Sequence, residues 1–221
     1  MAKVTAAAYL SFVSDMAVHA FLGSQGLGAL GPWLEELPRR PTRATIVPTG
    51  SNRLAQAPWV GAAEQALTIL GLTVERFDLE GAAPAMVEAC LARTDLVFVT
   101  GGHTLFLLEH AQRSGFTSIA PEAVRAGRLA YAGMSSGGFL AGPDLLHCTE
   151  PSDPGTVTDS RGLGIVPIVP LSHANRGRAA EHEALIARFG HLFIFVPITD
   201  EQAIVVTGEA WEIRSSPVLK E

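Results

Sequence analysis

Apolar residues in this chain fall into short runs, separated by longer stretches in which they recur every three or four positions. The run "AVHAFLG" (17–23) is followed by a glycine-rich loop and the helical pattern "GALGPWLEEL". "RATIVPT" (43–49) precedes "PWVGAAEQALTILGL", whose Val60, Ala63, Ala66, Leu67 and Leu70 share one helical face. "TVERFDL" (73–79) alternates with period two and leads into "APAMVEACLAR". "DLVFVTGG" (95–102) is almost wholly apolar, as a parallel strand covered on both faces must be, and opens into "TLFLLEHAQRSG" with Gly115 at the stopping position. "LAYAGMSSGG" repeats the order of strand, tight turn and helix. "LGIVPIVPLSH" (163–173), the helical "RAAEHEALIARFG" and short strands near 192–197, 203–206 and 211–215 complete the chain. This alternation predicts a doubly wound α/β fold: a mostly parallel sheet with helices on both faces.

Composition narrows the picture. With 221 residues, 48% of them apolar, the chain can bury a core as one folded domain, expected over 16–221 after an extension at 1–15. The net charge of −6 argues against a nucleic-acid partner, and the basic pairs Arg39-Arg40 and Arg176/Arg178 are too short for a phosphate footprint. No run reaches the roughly 18 uncharged residues of a membrane span, so no membrane partner is expected. The opening segment has a lone Lys and a mild apolar stretch but no convincing signal-peptide cleavage site, so no secretory leader is expected there. Two cysteines, Cys90 and Cys148, suit a reducing, cytoplasmic compartment, with Cys90 a buried thiol on a helix. "CTEPSDPGTVTDSRG" (148–162) reads as a long loop of the kind that often carries function.

Candidate chemistry begins at Gly133-Met134-Ser135-Ser136-Gly137, which has the form G-x-S-x-G. A nucleophile on a sharp strand-to-helix turn needs small neighbours, because strand and helix approach closely there. A plain helix start capped by Ser135 or Ser136 would leave a similar string. The apolar strand before and the helical pattern after favour the nucleophile, with Ser135 at its centre. The N–H of Ser136, and that of Gly101 or Gly102 from the neighbouring turn, are placed to stabilise an oxyanion. His103 follows those glycines and is a candidate substrate contact.

A serine hydroxyl needs a base. Of seven histidines, His110 and His182 lie in helical patterns and are expected at the surface, and His19 lies inside a strand. His173 ends an apolar strand and so belongs at the same sheet edge as Ser135, with His147 the second choice. The imidazole in turn needs a carboxylate to hold its tautomer. Asp200, in the turn after a late strand, is preferred over its neighbour Glu201 and over Glu150 in the long loop.

Together, "FVTGGHTLFLL", "YAGMSSGGFLAGP", "LGIVPIVPLSH" and "TDEQAIVV" resemble the peptidase E (aspartyl dipeptidase) family of serine peptidases, from about residue 44 onward. The resemblance implies a fold akin to the class I glutamine amidotransferases, and hydrolysis of dipeptides with N-terminal aspartate without a metal or other cofactor. It places the nucleophile on Ser135 and the histidine on His173, and the acid on Asp200 or Glu150. The chain departs from the family at His103, where Asn is usual, and at Ser136, where Ala is usual. The arginine expected to grip the aspartyl carboxylate falls on Ala180, leaving Arg176 and Arg178 as its replacements.

The expected activity is thus a serine-type dipeptidase acting on a small peptide. The alternatives are a related hydrolase that cuts β-aspartyl-arginine polymers, and a non-catalytic small-molecule binder of the same fold. Oligomeric state is left open, a homodimer being common among soluble enzymes in general.

Overall fold

The computed structural model describes residues 18–148 and 150–218; the expected extension at 1–15 lies outside them. Its strands are β1 (His19–Gly23), β2 (Arg43–Val47), β3 (Thr73–Arg76), β4 (Leu96–Val99), β5 (Ala130–Met134), β6 (Ile168–Leu171), β7 (Ile194–Pro197), β8 (Gln202–Thr207) and β9 (Ala210–Ser215). Seven of them form one sheet in the order β3-β2-β4-β5-β1-β8-β9, parallel from β3 to β1, with β8 and β9 antiparallel at the edge.

Both faces of the sheet are covered, which is why its central strands are apolar at successive positions. Phe21, Ile46, Phe98 and Ala132 pack with Trp33 and Leu34 of α1 (Leu30–Glu36) and Leu67 of α2 (Pro58–Ile69). Leu22, Val97, Val99 and Tyr131 face the opposite layer: α3 (Pro84–Leu91), α4 (Thr104–Arg113), α5 (Phe116–Arg125) and α6 (Ser136–Ala141). Proline opens α2 and α3, at the position where a helix has no use for the missing N–H. The doubly wound fold is therefore the one the hydrophobic pattern requires.

Two local expectations are corrected and one helix is added. Residues 116–125, unassigned from sequence because Pro121 interrupts them, form α5, which begins directly after Gly115 in a left-handed conformation. The run 163–173 is a strand only at 168–171, where it pairs in parallel with β7 outside the main sheet. His110 and His182 are buried rather than exposed, His110 stacking on Phe106 at 4.4 Å between ring centroids.

Register explains where the chemistry gathers. Strands β4, β5 and β1 are neighbours, so the segments leaving their carboxyl ends (Gly101-Gly102, Ser135 and Ser24) emerge side by side. Because β8 runs antiparallel to β1, with Ala203 opposite Gly23, the turn carrying Asp200 starts at that same edge. The small β6–β7 pair shares a core with α6 through Leu140, Ile168 and Val196. It delivers His173 there, fixed by hydrogen bonds from Ile198 N–H to Leu171 O (2.9 Å) and Ala174 N–H to Ile198 O (3.0 Å).

Candidate active site

Ser135 stands between β5 and α6 with φ 50° and ψ −112°. His173 has φ 65°, and among the described residues these two are the non-glycine positions with positive φ. Such conformations cost on the order of 1–3 kcal/mol and persist only where the surroundings over-determine them. At Ser135 the surroundings are steric. A Cβ on Gly133 would lie 2.4 Å from the Gly137 carbonyl oxygen, and one on Gly137 would lie 2.1 Å from that of Val99 in β4. The two outer glycines of G-x-S-x-G thus let helix and strand close around the serine. Tyr131 holds the turn from below, its hydroxyl donating to Gly137 O at 2.6 Å.

A stability measurement tests this account. Gly137→Ala is expected to cost about 3 kcal/mol, since a backbone atom cannot step aside. Gly61→Ala, on α2 with nothing within 4 Å, is expected to stabilise by about 0.5–1 kcal/mol. Urea midpoints of the two variants read the contrast.

The serine hydroxyl lies 3.2 Å from Nε2 of His173, and Nδ1 of that ring lies 2.6 Å from Oδ1 of Asp200. The other carboxylate oxygen of Asp200 accepts from Nε of Arg176 at 2.6 Å. His173 and Asp200 are largely buried, with side-chain exposures of 17% and 13%. Burial pushes the His173 imidazole down; the bond to Asp200 pulls it back and the Arg176 charge opposes that, leaving it below the ordinary histidine value. Burial raises the Asp200 carboxyl, but hydrogen bonds from His173 and Arg176 outweigh it and hold it below the usual carboxylate value.

The other candidate acids and the second candidate base lie apart from this line. Glu201 is exposed, its backbone carbonyl accepts from Ser216 N–H, and its carboxylate makes no hydrogen bond to His173 among the described residues. Glu150 lines the cleft around Ser135, where its carboxylate accepts from Ser152 at 3.0 Å and makes no hydrogen bond to His173 among the described residues. His147 is buried between Phe139 and Phe195, with Nε2 3.5 Å from Cys148 Sγ, and burial pushes it down to about 4.

Gly101 backs directly onto Ser135, since a Cβ there would sit 3.3 Å from that of the serine. The Ser136 hydroxyl donates to Gly102 O and accepts from Thr104 at 2.9 Å, stitching the two candidate oxyanion turns together. His103 is buried at the start of α4 and lines the cleft. Of the candidate substrate arginines, Arg176 is bound to Asp200 and to the Gln25 side chain, and Arg178 pairs with Glu181 through two bonds of 2.7 and 2.8 Å.

Two clefts meet at the serine. One, about 460 Å³, has Trp59, Phe98, His103 and Arg176 among its walls; the other, about 640 Å³, has Phe139, Arg178, His182 and Arg188. Ser135, Gly102, His173 and Glu150 border both. The loop 148–162 is strapped to α4 rather than free above the site. Asp153 accepts from the N–H groups of Leu105 (2.7 Å) and Phe106 (3.0 Å), and Glu109 accepts from Thr156 N–H (2.7 Å). No group of three or more metal-binding side chains occurs among the described residues, and no described helix is long and apolar enough to cross a membrane.

Sequence reasoning missed Ser24. It is buried, accepts from His173 N–H at 2.9 Å and donates to Asp200 Oδ1 at 3.2 Å. The one available signal was its position, the first residue after a strand whose carboxyl end faces the site.

A serine on a strained turn at the carboxyl edge of a doubly wound sheet, in line with an imidazole and a carboxylate, is an arrangement suited to α/β hydrolases. The chain belongs to peptidase family S51, whose sequence pattern it matches over residues 21–214. It is 30% identical over 169 residues to an uncharacterized peptidase of Listeria monocytogenes, covering 75% of this chain and 82% of that one. To an uncharacterized peptidase of Pasteurella multocida it is 27% identical over 176 residues, 78% of this chain and 84% of that one. The crystal structure of a candidate peptidase E protein from Listeria monocytogenes superposes with a TM-score of 0.78 at 25% identity, covering 90% of this chain and 98% of the other. A peptidase from an acI-B1 actinobacterium shares the fold, with a TM-score of 0.66 at 17% identity over 92% and 90% of the two chains.

Proposed function

We propose that this peptidase is a serine peptidase that cleaves very short peptides through an acyl-enzyme. The observation that carries the reading is the continuous line from Ser135 Oγ through both ring nitrogens of His173 to Asp200, with contacts of 3.2 and 2.6 Å. Asp200 accepts the Nδ1 proton and so leaves the lone pair of Nε2 facing the hydroxyl. His173 takes the hydroxyl proton as Ser135 attacks the scissile carbonyl. The oxyanion is met by the N–H of Ser136 and that of Gly101 or Gly102. His173 then protonates the departing amine, and water, activated by the same ring, releases the acyl group.

Dipeptides with N-terminal aspartate are the proposed substrates. The family and the peptidase E-like sequence motifs support this class. With Arg176 engaged by Asp200, Arg178 at the second cleft is the candidate that remains, a guanidinium that can exchange Glu181 for a substrate carboxylate, with Arg188 in the same wall. One observation favours a second reading. Glu150 borders both clefts without an ion pair among the described residues, which suits a substrate carrying a guanidinium, such as β-aspartyl-arginine. A panel of Asp-Xaa, Gly-Xaa and β-Asp-Arg substrates separates the two, and mapping a fluorophosphonate adduct tests the chemistry. Adduct on Ser135 is expected; repeated failure to label a folded sample would favour a non-catalytic binder.

The pH profile supplies a further check. Only the neutral imidazole can accept the serine proton, so kcat/KM falls as pH drops through the His173 pKa. Since burial holds that pKa below about 6.5, the acid limb should have its midpoint below 6.5. A midpoint well above 6.5 would contradict the assignment of His173 as base.

A further inference from the structure

We propose that Ser24 is a positioning residue of this site, holding His173 and Asp200 in register with each other beside Ser135. The inference rests on the serine-peptidase reading above. The four residues that leave β1 bond to all three members of the line. Gly23 O accepts from Ser135 N–H at 2.9 Å, the Ser24 hydroxyl accepts from His173 N–H at 2.9 Å, and Gly26 N–H donates to Asp200 O at 2.8 Å. These partners come from three separate parts of the chain, and the β1 loop is where their backbones meet.

The hydroxyl itself has two roles. A serine hydroxyl carries one proton and two lone pairs. A lone pair of Ser24 takes the His173 N–H, which stabilises a residue held at φ 65°. The proton goes to Asp200 Oδ1 at 3.2 Å. The ring nitrogen Nδ1 of His173 lies 3.3 Å from the Ser24 hydroxyl oxygen, so a Ser24 proton aimed at Nδ1 would favour the opposite tautomer, with Nε2 protonated and unable to act as base. Asp200, by accepting from both Ser24 and Nδ1, keeps the productive tautomer. Ser24 is only 2% exposed, so water cannot easily replace a deleted hydroxyl, and both the His173 N–H and the carboxylate would lose a partner.

The test compares Ser24→Ala, Ser24→Val and Ser24→Thr, since valine and threonine share a shape and differ in the hydroxyl. The readout is the second-order rate at which a fluorophosphonate labels Ser135, with kcat and KM measured on whichever peptide of the panel is cleaved. Ala and Val variants should label about 10²-fold more slowly, with the loss in kcat rather than KM, and Thr should restore most of the rate. Equal labelling by all three would overturn the inference while leaving the peptidase reading intact. So would Ala and Val variants that fail to fold where Thr folds, because the hydroxyl would then be a bond of the fold alone. A folded wild-type chain that never labels would instead remove the peptidase reading, and this inference with it.

Discussion

Ser135→Ala is expected to lower kcat on the order of 10⁶-fold while the protein stays folded. The strained turn is held by backbone contacts that alanine keeps: Ser135 N–H donates to Gly23 O, and Gly133 and Gly137 admit the close packing of β5 and α6. What disappears is the oxygen 3.2 Å from the His173 ring, and with it the acyl-enzyme route. The residual rate should reflect only substrate binding and oxyanion stabilisation. Steady-state kinetics on the purified variant, with its unfolding midpoint measured alongside, reads both halves of the expectation. Undiminished hydrolysis by a folded sample would refute the serine mechanism outright.

The second large effect is expected from Asp200→Asn, which should reduce kcat about 10⁴-fold. An asparagine amide can present an N–H to Nδ1, stabilising the tautomer whose Nε2 carries a proton and cannot accept one from serine. The amide oxygen then faces Arg176, which keeps an acceptor where it bound Asp200 Oδ2 at 2.6 Å but loses the opposing charge. The neighbouring Glu201→Gln should leave kcat essentially as it was, because that exposed side chain makes no hydrogen bond to His173 among the described residues. Glu150→Gln, in the cleft wall, should act on KM more than on kcat. If Glu150→Gln proved crippling and Asp200→Asn mild, the carboxylate of the line would have to be Glu150, brought in by a movement of its loop.

The distinction between these acids shows what a sequence can convey. Helices and strands were legible because burial imposes a local period, and the apolar runs at 43–49, 95–102 and 130–134 each became a parallel strand. Helix α5 was not, since Pro121 breaks the usual signal. The serine turn was legible for the same local reason: strand, two glycines and helix lie within a few residues, so their steric requirement is written in adjacent letters. His110 and His182 were misplaced because a helical pattern tells that one face is buried but not what a neighbouring element brings to the other.

By itself, then, the sequence determined the doubly wound sheet, the serine turn and a short roster of histidines and acids. Within that roster it preferred His173 to His147 and Asp200 to Glu150 and Glu201, but only tertiary structure brings Ser135, His173 and Asp200 into contact, and it alone reveals that Ser24 touches both His173 and Asp200. The reason is physical. Periodicity and close packing act over a few residues, whereas the Ser24 contacts span 149 and 176 residues and depend on strand register and on the paths of the loops between. The antiparallel pairing of β8 with β1, which sets Ala203 opposite Gly23, brings Asp200 to Ser24, and nothing in either segment read alone announces that pairing.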